Sequence, residues 1–294
     1  MASPLSSTTS PELTKKAVHL DQYSLEAPPP RTPSSPTTTT TTPQIITSSP
    51  SPNSQIIHRL RLVSFWDIAP GSLILEIGCG QGDTTVVLAD AVGEKGHVDA
   101  IDPGPADYGA PYTLSQCQSH IKSSTPLGNR ITFHNTTPTA YLSTYTGPAY
   151  DYIVLSHCIY YFANPSILPS ILSSISSFGE RKKEEGEKRE MRLCVAEWSL
   201  SANSTTETDV RRKTPHILTA LLLSLLETKR VTESQGNIRT VLSPSQITSA
   251  ILSSPPPSQS QNRKWHLEAQ LTLPTGDGML DGFWEQHRHF WNWD

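Results

Sequence analysis

Nothing in this sequence resembles a metal or disulfide framework. The cysteines number four, Cys79, Cys117, Cys158 and Cys194, and each lies inside an apolar run without C-x-x-C spacing. That excludes a zinc ribbon and a stapled secreted domain, and suits a reducing, cytoplasmic setting. Histidines are present, but His287 and His289 stand far from any recognisable ligand set, so no metal is expected. Charge of one sign is also missing. The formal net charge is −4, and the basic triplet Arg181-Lys182-Lys183 runs straight into Glu184-Glu185, which leaves no footprint for a nucleic acid. Long apolar runs are absent as well. The longest, around Ile217 to Leu226, is too short and interrupted to cross a bilayer, and no charged-then-apolar leader begins the chain. No membrane partner is expected, and the oligomeric state is not specified.

What is abundant is unevenly spread. Of the 25 prolines among 294 residues, 10 fall with many Ser and Thr in residues 1–54, a stretch nearly devoid of aromatics. Such composition buries too little apolar surface to offset the entropy of ordering, so a disordered extension is expected there. Residues 55–294 have the length of one α/β domain.

Within that domain, helical and strand periods alternate. Ile56, Leu60 and Val63 share a helix face, and Leu73 to Ile77 reads as a buried strand. A helix follows from Asp83, and a second strand over His97 to Ile101 ends on Asp102. Pro111 suits the first turn of a helix carrying Leu114, Cys117 and Ile121. Further strands are expected at Arg130 to Phe133, Tyr152 to Leu155 and Leu193 to Ala196, with a helix through Ile167, Ile171 and Ile175 and an exposed mixed-charge extension at Gly179 to Glu190. Helices over about Asp209 to Glu227 and after Ser243 precede an alternating strand, Trp265 to Leu273. The tail from Gly282 is rich in Trp, Phe and His. This alternation predicts an α/β fold with a doubly wound, mainly parallel sheet and ligands at the carboxyl ends of its strands.

The turn after the first strand carries the chemistry. Glu76-Ile77-Gly78-Cys79-Gly80-Gln81-Gly82 places glycines at alternate positions, where backbone can approach a ligand closely. A dinucleotide fingerprint would need its third glycine where Asp83 stands, and Asp83 would repel a pyrophosphate. A sulfonium cation tolerates Glu76 and Asp83. Asp102 is placed to accept hydrogen bonds from two ribose hydroxyls.

This loop, followed by Gly96-His97-Val98-Asp99-Ala100-Ile101-Asp102, resembles the class I (Rossmann-like) S-adenosylmethionine-dependent methyltransferase family, and is similar to stand-alone fungal small-molecule methyltransferases. The resemblance implies that Gly78, Gly80 and Gly82 line the S-adenosyl-L-methionine site, that Asp102 holds the ribose, and that Glu76 supports the amino-acid end. It also implies main-chain contact with the cofactor at Ser156 and His157. Where the family often has an acidic residue for the adenine amino group, this chain has His134-Asn135-Thr136, and Asn135 can accept that bond through its amide oxygen.

Methyl transfer needs alignment and desolvation of the acceptor, and a base where a proton must leave. His157 is the first candidate base, against a purely structural loop histidine. Glu197 can take a proton or orient an amine, or simply cap the next helix. Tyr160, Tyr161 and Trp198 are candidates for the acceptor pocket, against a plain core role for the aromatics. His97 and His134 read as structural. The expected activity is methylation of oxygen or nitrogen on a small molecule, natural products of secondary metabolism included. Two alternatives stay open: an NAD(P)-dependent oxidoreductase, and a methyltransferase-like regulator that binds the cofactor without transferring the methyl.

Overall fold

The computed structural model describes residues 10–25, 54–186, 190–201, 207–232, 234, 236–254 and 265–273. Five short apolar runs pair into one sheet: β1 Leu73–Ile77, β2 His97–Ile101, β3 Ile131–His134, β4 Tyr152–Ser156 and β5 Arg192–Ala196. Every pairing is parallel, in the order β3-β2-β1-β4-β5. The order reverses between β1 and β4, so the ligand crevice of such a sheet opens at their carboxyl ends.

Strand alternation sorts the core into two layers. On one face Ile74, Val98, Ala100, Ile131 and Val154 pack with α1 (Pro11–Asp21), α2 (Ser54–Trp66), α3 (Asp83–Val92) and α4 (Leu114–Ser124). On the other, Leu75, Ile77, Ile153 and Leu155 pack with α5 (Pro138–Thr144), α6 (Ile167–Glu184) and, further along the chain, α8 (Pro244–Leu252). Both faces of the central strands are covered, which is why they read as unbroken apolar runs. The period-two alternation puts Glu76 on the α2/α3 face, where it is 1% exposed.

Several expectations need correction. Within the stretch expected to be disordered, residues 10–25 are ordered: Ser10 caps α1 by accepting from the Leu13 N–H, Pro11 opens it, and Ala17 and Leu20 are fully buried. Pro111 does not start α4. Thr113 does, through a reciprocal capping box with Gln116, and the helix begins at Leu114. The expected extension at Gly179 to Glu190 is helical through Glu184, with Lys182 drawn inward beside the rings of Tyr145 and Phe178. The Trp265 to Leu273 run joins no strand ladder. Its Glu268 instead pairs with Arg192 of β5 at 3.0 Å. The tail from Gly282 lies outside the described residues. Helix α7 (Glu207–Glu227) and α8 stand where expected, α8 starting with a second capping box of Ser243 and Gln246.

Asp99 on β2 is buried but answered. It accepts from His134 Nε2 at 3.0 Å and from the Tyr150 hydroxyl at 2.8 Å, while His97 Nε2 lies 2.9 Å from the Thr132 hydroxyl. His97 and His134 thus tie β2 to β3.

Candidate active site

The glycine loop shows why its glycines are there, and the reasons differ. Gly82 adopts φ +99, and a Cβ on it would come within 2.6 Å of Ile121 Cδ1, so it lets α3 begin hard against α4. A Cβ on Gly78 would meet Cys158. A Cβ on Gly80, at φ +53, would meet no atom within 4 Å, so the turn leaves a bare patch of backbone open there. Gln118 braces that turn by donating to the Gly80 carbonyl at 2.8 Å, and Gln81 ties it to the Tyr112 carbonyl at 2.7 Å.

Asp102 follows β2 and is held by main chain. Its two oxygens accept from the N–H groups of Gly80 at 2.8 Å and Gly104 at 2.7 Å, one each. A carboxylate oxygen has two lone pairs, so each keeps capacity for a further donor such as a ribose hydroxyl. Asn135 donates its amide hydrogens to the carbonyls of Asp102 and Gly104, at 3.0 and 2.6 Å. It shapes the loop around Asp102 and leaves its amide oxygen for other partners.

Glu76 sits beneath the glycine loop. Burial pushes its carboxyl up to about 8, while the Thr85 hydroxyl, donating at 2.5 Å, acts against that rise. Nearby Asp83 lies 3.8 Å from Arg59 of α2. A cationic ligand group reaching Glu76 would find a carboxyl able to ionise in response.

The ends of β4 and β5 bring together residues distant in sequence. Ser156 accepts from the Thr84 hydroxyl at 3.2 Å, which anchors β4 to α3. His157 follows at φ +52, a left-handed conformation that costs a non-glycine residue roughly 1–2 kcal/mol. Its N–H donates to the Ala196 carbonyl at 2.9 Å. Its Nε2 lies 3.0 Å from Nε2 of His58, a buried residue of α2 that sequence reasoning misses. Trp198 packs against both rings, with centroids 4.6 Å from His157 and 6.1 Å from His58. Glu197 lies below. One of its oxygens accepts from the Trp198 N–H at 3.0 Å and stands 3.7 Å from His157 Nδ1, and the other accepts from the Ile159 N–H at 3.1 Å. Burial drives His58 down to about 2, with His157, Arg59 and Arg61 adding to the effect, so its ring is neutral at physiological pH.

The structure separates the two tyrosines. Tyr160 is buried with Ala220 and Ile238, and its hydroxyl donates to the Trp198 carbonyl at 3.1 Å, so it braces the cluster from behind. Tyr161 is exposed, and its carbonyl accepts from the Arg239 guanidinium. Among the described residues no group of three or more His, Cys, Asp or Glu is arranged to hold a metal ion. A shallow depression lined by Thr146 to Pro148, Glu185 and Gly186 precedes β4, away from the strand carboxyl ends.

A parallel sheet of order 3-2-1-4-5 with an open glycine turn after β1 and an aspartate after β2 is the arrangement of the class I S-adenosylmethionine-dependent methyltransferase fold. The residues fit that cofactor: bare backbone at Gly80, acceptor capacity at Asp102 and an ionisable carboxyl at Glu76. Comparison with known proteins agrees. The family model described as a methyltransferase domain matches residues 74–178, and that of protein-L-isoaspartate(D-aspartate) O-methyltransferase matches residues 36–106. Among curated proteins, methyltransferase phomM of Diaporthe leptostromiformis is 30% identical over 120 residues, covering 35% of this chain and 31% of that protein. The tRNA (adenine(58)-N(1))-methyltransferase TrmI of Thermus thermophilus is 36% identical over 73 residues, covering 25% and 26%. The chain therefore spans about a third or less of the length of these relatives. A solved cyclopropane-fatty-acyl-phospholipid synthase-like protein from Lactobacillus casei is 29% identical with a TM-score of 0.60, over 80% of this chain and 74% of that one. S-adenosyl-L-methionine is the cofactor this domain class uses.

Proposed function

We propose that this chain transfers a methyl group from S-adenosyl-L-methionine to an oxygen or nitrogen of a small molecule, such as a natural product. The observation that carries the reading is the cluster in which buried His58 of α2 meets the half-buried His157, Glu197 and Trp198 at the ends of β4 and β5. It lies next to the glycine loop, since Cys158 directly follows His157 and packs under Gly78. The cofactor, when bound, supplies a methyl carbon activated by a sulfonium. The chain's own residues then have two tasks. Gly80 and Asp102 seat the nucleoside, with Glu76 below, Asn135 shaping the ribose loop and Ser156 fixing the end of β4. His157 and Glu197 handle a proton in a site from which Trp198 helps exclude water, where charge interactions gain strength. Trp198 and the exposed Tyr161 border the acceptor side.

A net charge of −4 without a basic block supports a small acceptor over a nucleic acid. The four cysteines are buried free thiols, which supports a reducing, cytoplasmic setting. No helix among the described residues is long and apolar enough to cross a membrane.

The test is calorimetry with S-adenosylmethionine and with NAD on the wild type and on Asp102→Ala. Binding of S-adenosylmethionine is expected, weakened on the order of 30–150-fold in the variant through loss of charged acceptor bonds, worth roughly 2–3 kcal/mol. Binding of NAD alone would refute the reading. Tight cofactor binding without release of adenosylhomocysteine across metabolite pools would point to a regulator.

A further inference from the structure

The proton positions in the histidine pair follow from its contacts. A neutral imidazole carries one N–H and one lone pair, so across the Nε2 to Nε2 contact of 3.0 Å one ring donates and the other accepts. If His157 donated, the lone pair on its Nδ1 would face the Glu197 carboxylate at 3.7 Å, an unfavourable meeting in a buried site. If His58 donates, His157 instead turns an Nδ1–H toward that carboxylate. The second arrangement is electrostatically favoured, and it leaves His157 with no free lone pair to meet an acceptor directly, since its Nε2 pair is engaged by His58. The remaining basic nitrogen of the cluster is Nδ1 of His58; like Nδ1 of His157 it is buried and has no hydrogen-bond partner among the described residues, but that of His157 faces the Glu197 carboxylate, at 3.7 Å and so beyond hydrogen-bond length.

We propose that Glu197, His157 and His58 form a proton relay whose basic end is Nδ1 of His58, and that this end takes the proton of a hydroxyl-bearing methyl acceptor. The proposal rests on the methyltransferase reading for its reaction, and on the hydrogen-bond geometry for its proton positions. In the transfer step the acceptor oxygen bonds to the methyl carbon, whose former bonding pair stays with sulfur. The O–H proton passes to Nδ1 of His58, and the Nε2 proton of His58 crosses to Nε2 of His157. The positive charge thus ends on His157, facing Glu197. It does not stay on His58, where burial and the neighbouring Arg59 and Arg61 oppose it. A residue too deeply buried to hold a proton by itself becomes an effective base because the proton it gains is matched by one it gives away. The indole of Trp198 lies nearly parallel to the His58 ring, at 8° with centroids 6.1 Å apart, on the face of the ring and not in the plane of its Nδ1 lone pair.

The experiment is long-range proton–nitrogen NMR of the full chain labelled with 15N-histidine, at about pH 7. His58→Gln and His157→Gln supply the assignments. Either alone suffices, through loss of one signal set and a shift in its partner. The expected result is an N–H at Nδ1 of His157 and at Nε2 of His58, with Glu197→Gln shifting His157 toward the opposite tautomer. Phenol serves as an O–H probe and anisole as its donorless counterpart. Phenol is expected to shift the Nδ1 resonance of His58, and anisole to leave it unmoved. An N–H at Nε2 of neutral His157, a doubly protonated His157, or equal responses to the two probes would overturn the proposal. None of these readouts needs turnover or cofactor, so failure of the relay and failure of the methyltransferase reading are scored separately.

Discussion

Replacing Glu76 with Gln is expected to stabilise the chain most where pH is highest. Glu76 is raised from its ordinary 4.5 to about 8, chiefly by burial. Between those values the folded chain holds a proton that the unfolded chain has released, so wild-type stability falls as pH rises through this window and levels off above it. The rise corresponds to roughly 5 kcal/mol at about 1.4 kcal/mol per pH unit, of which roughly 3 kcal/mol has been lost by about pH 7. Gln keeps an acceptor for the Thr85 hydroxyl, which now donates to Oε2 at 2.5 Å, and it carries no titratable charge. Urea unfolding from about pH 4.5 to about 8.5 reads the difference directly: the two chains converge at the acid end and diverge upward. Parallel curves would refute the assignment of a protonated Glu76. The same carboxyl links binding to protons. If the cationic end of the cofactor draws it into its charged form, calorimetry near neutral pH in buffers of different ionisation enthalpy will report release of up to about one proton per binding event, and Glu76→Gln will abolish it.

The loop glycines make a paired test. Gly82→Ala drives a methyl to within 2.6 Å of Ile121 Cδ1 at φ +99 and is expected to cost about 2–3 kcal/mol of stability by chemical denaturation. Gly80→Ala meets nothing, so it is expected to cost only about 1–2 kcal/mol for its left-handed backbone while weakening cofactor binding more severely. Equal effects on both readouts in the two variants would show that the open face at Gly80 is not the ligand face. Tyr150→Phe removes the 2.8 Å bond to Asp99 and the 2.9 Å partner of the Tyr141 hydroxyl. It is expected to cost about 1–3 kcal/mol, read as a lower Tm, and an unchanged Tm would mean the buried network contributes no net stability.

The five strands and the glycine loop are legible because their signals are local: apolar runs bounded by turn residues, and a spacing of glycines that few structures require. What escapes is local signal overruled by distant partners. Thr137-Pro138 is a cap followed by a helix-opening proline, a readable sign of α5 that its seven residues and the following tyrosines conceal. In α1 the cap and proline at Ser10-Pro11 are hidden by a polar composition, and the helix takes its stability from burying Ala17 and Leu20 against the domain. Trp265 to Leu273 alternates as a strand should, yet alternation specifies a face and supplies no neighbour to pair with.

His58 shows the same logic at the site, since its partner His157 is 99 positions away. There is nonetheless a sign. Beside the apolar face of Ile56, Leu60 and Val63, helix α2 carries Gln55, His58 and Arg59 at spacings of three and four, and all of these are buried. Burying such a polar stripe against plain core would leave costly unanswered groups, so it fits a helix laid across the carboxyl ends of the strands, where polar partners are concentrated. Arg59 meets Asp83 there and His58 meets His157, each bridging α2 to an element that borders the cofactor turn. A stripe of this kind on the helix preceding the first strand of a doubly wound sheet is thus a readable mark of polar contacts between that helix and the strand ends. It sets α2 beside both the first residue of α3, just after the glycine turn, and the His157 side chain at the end of β4.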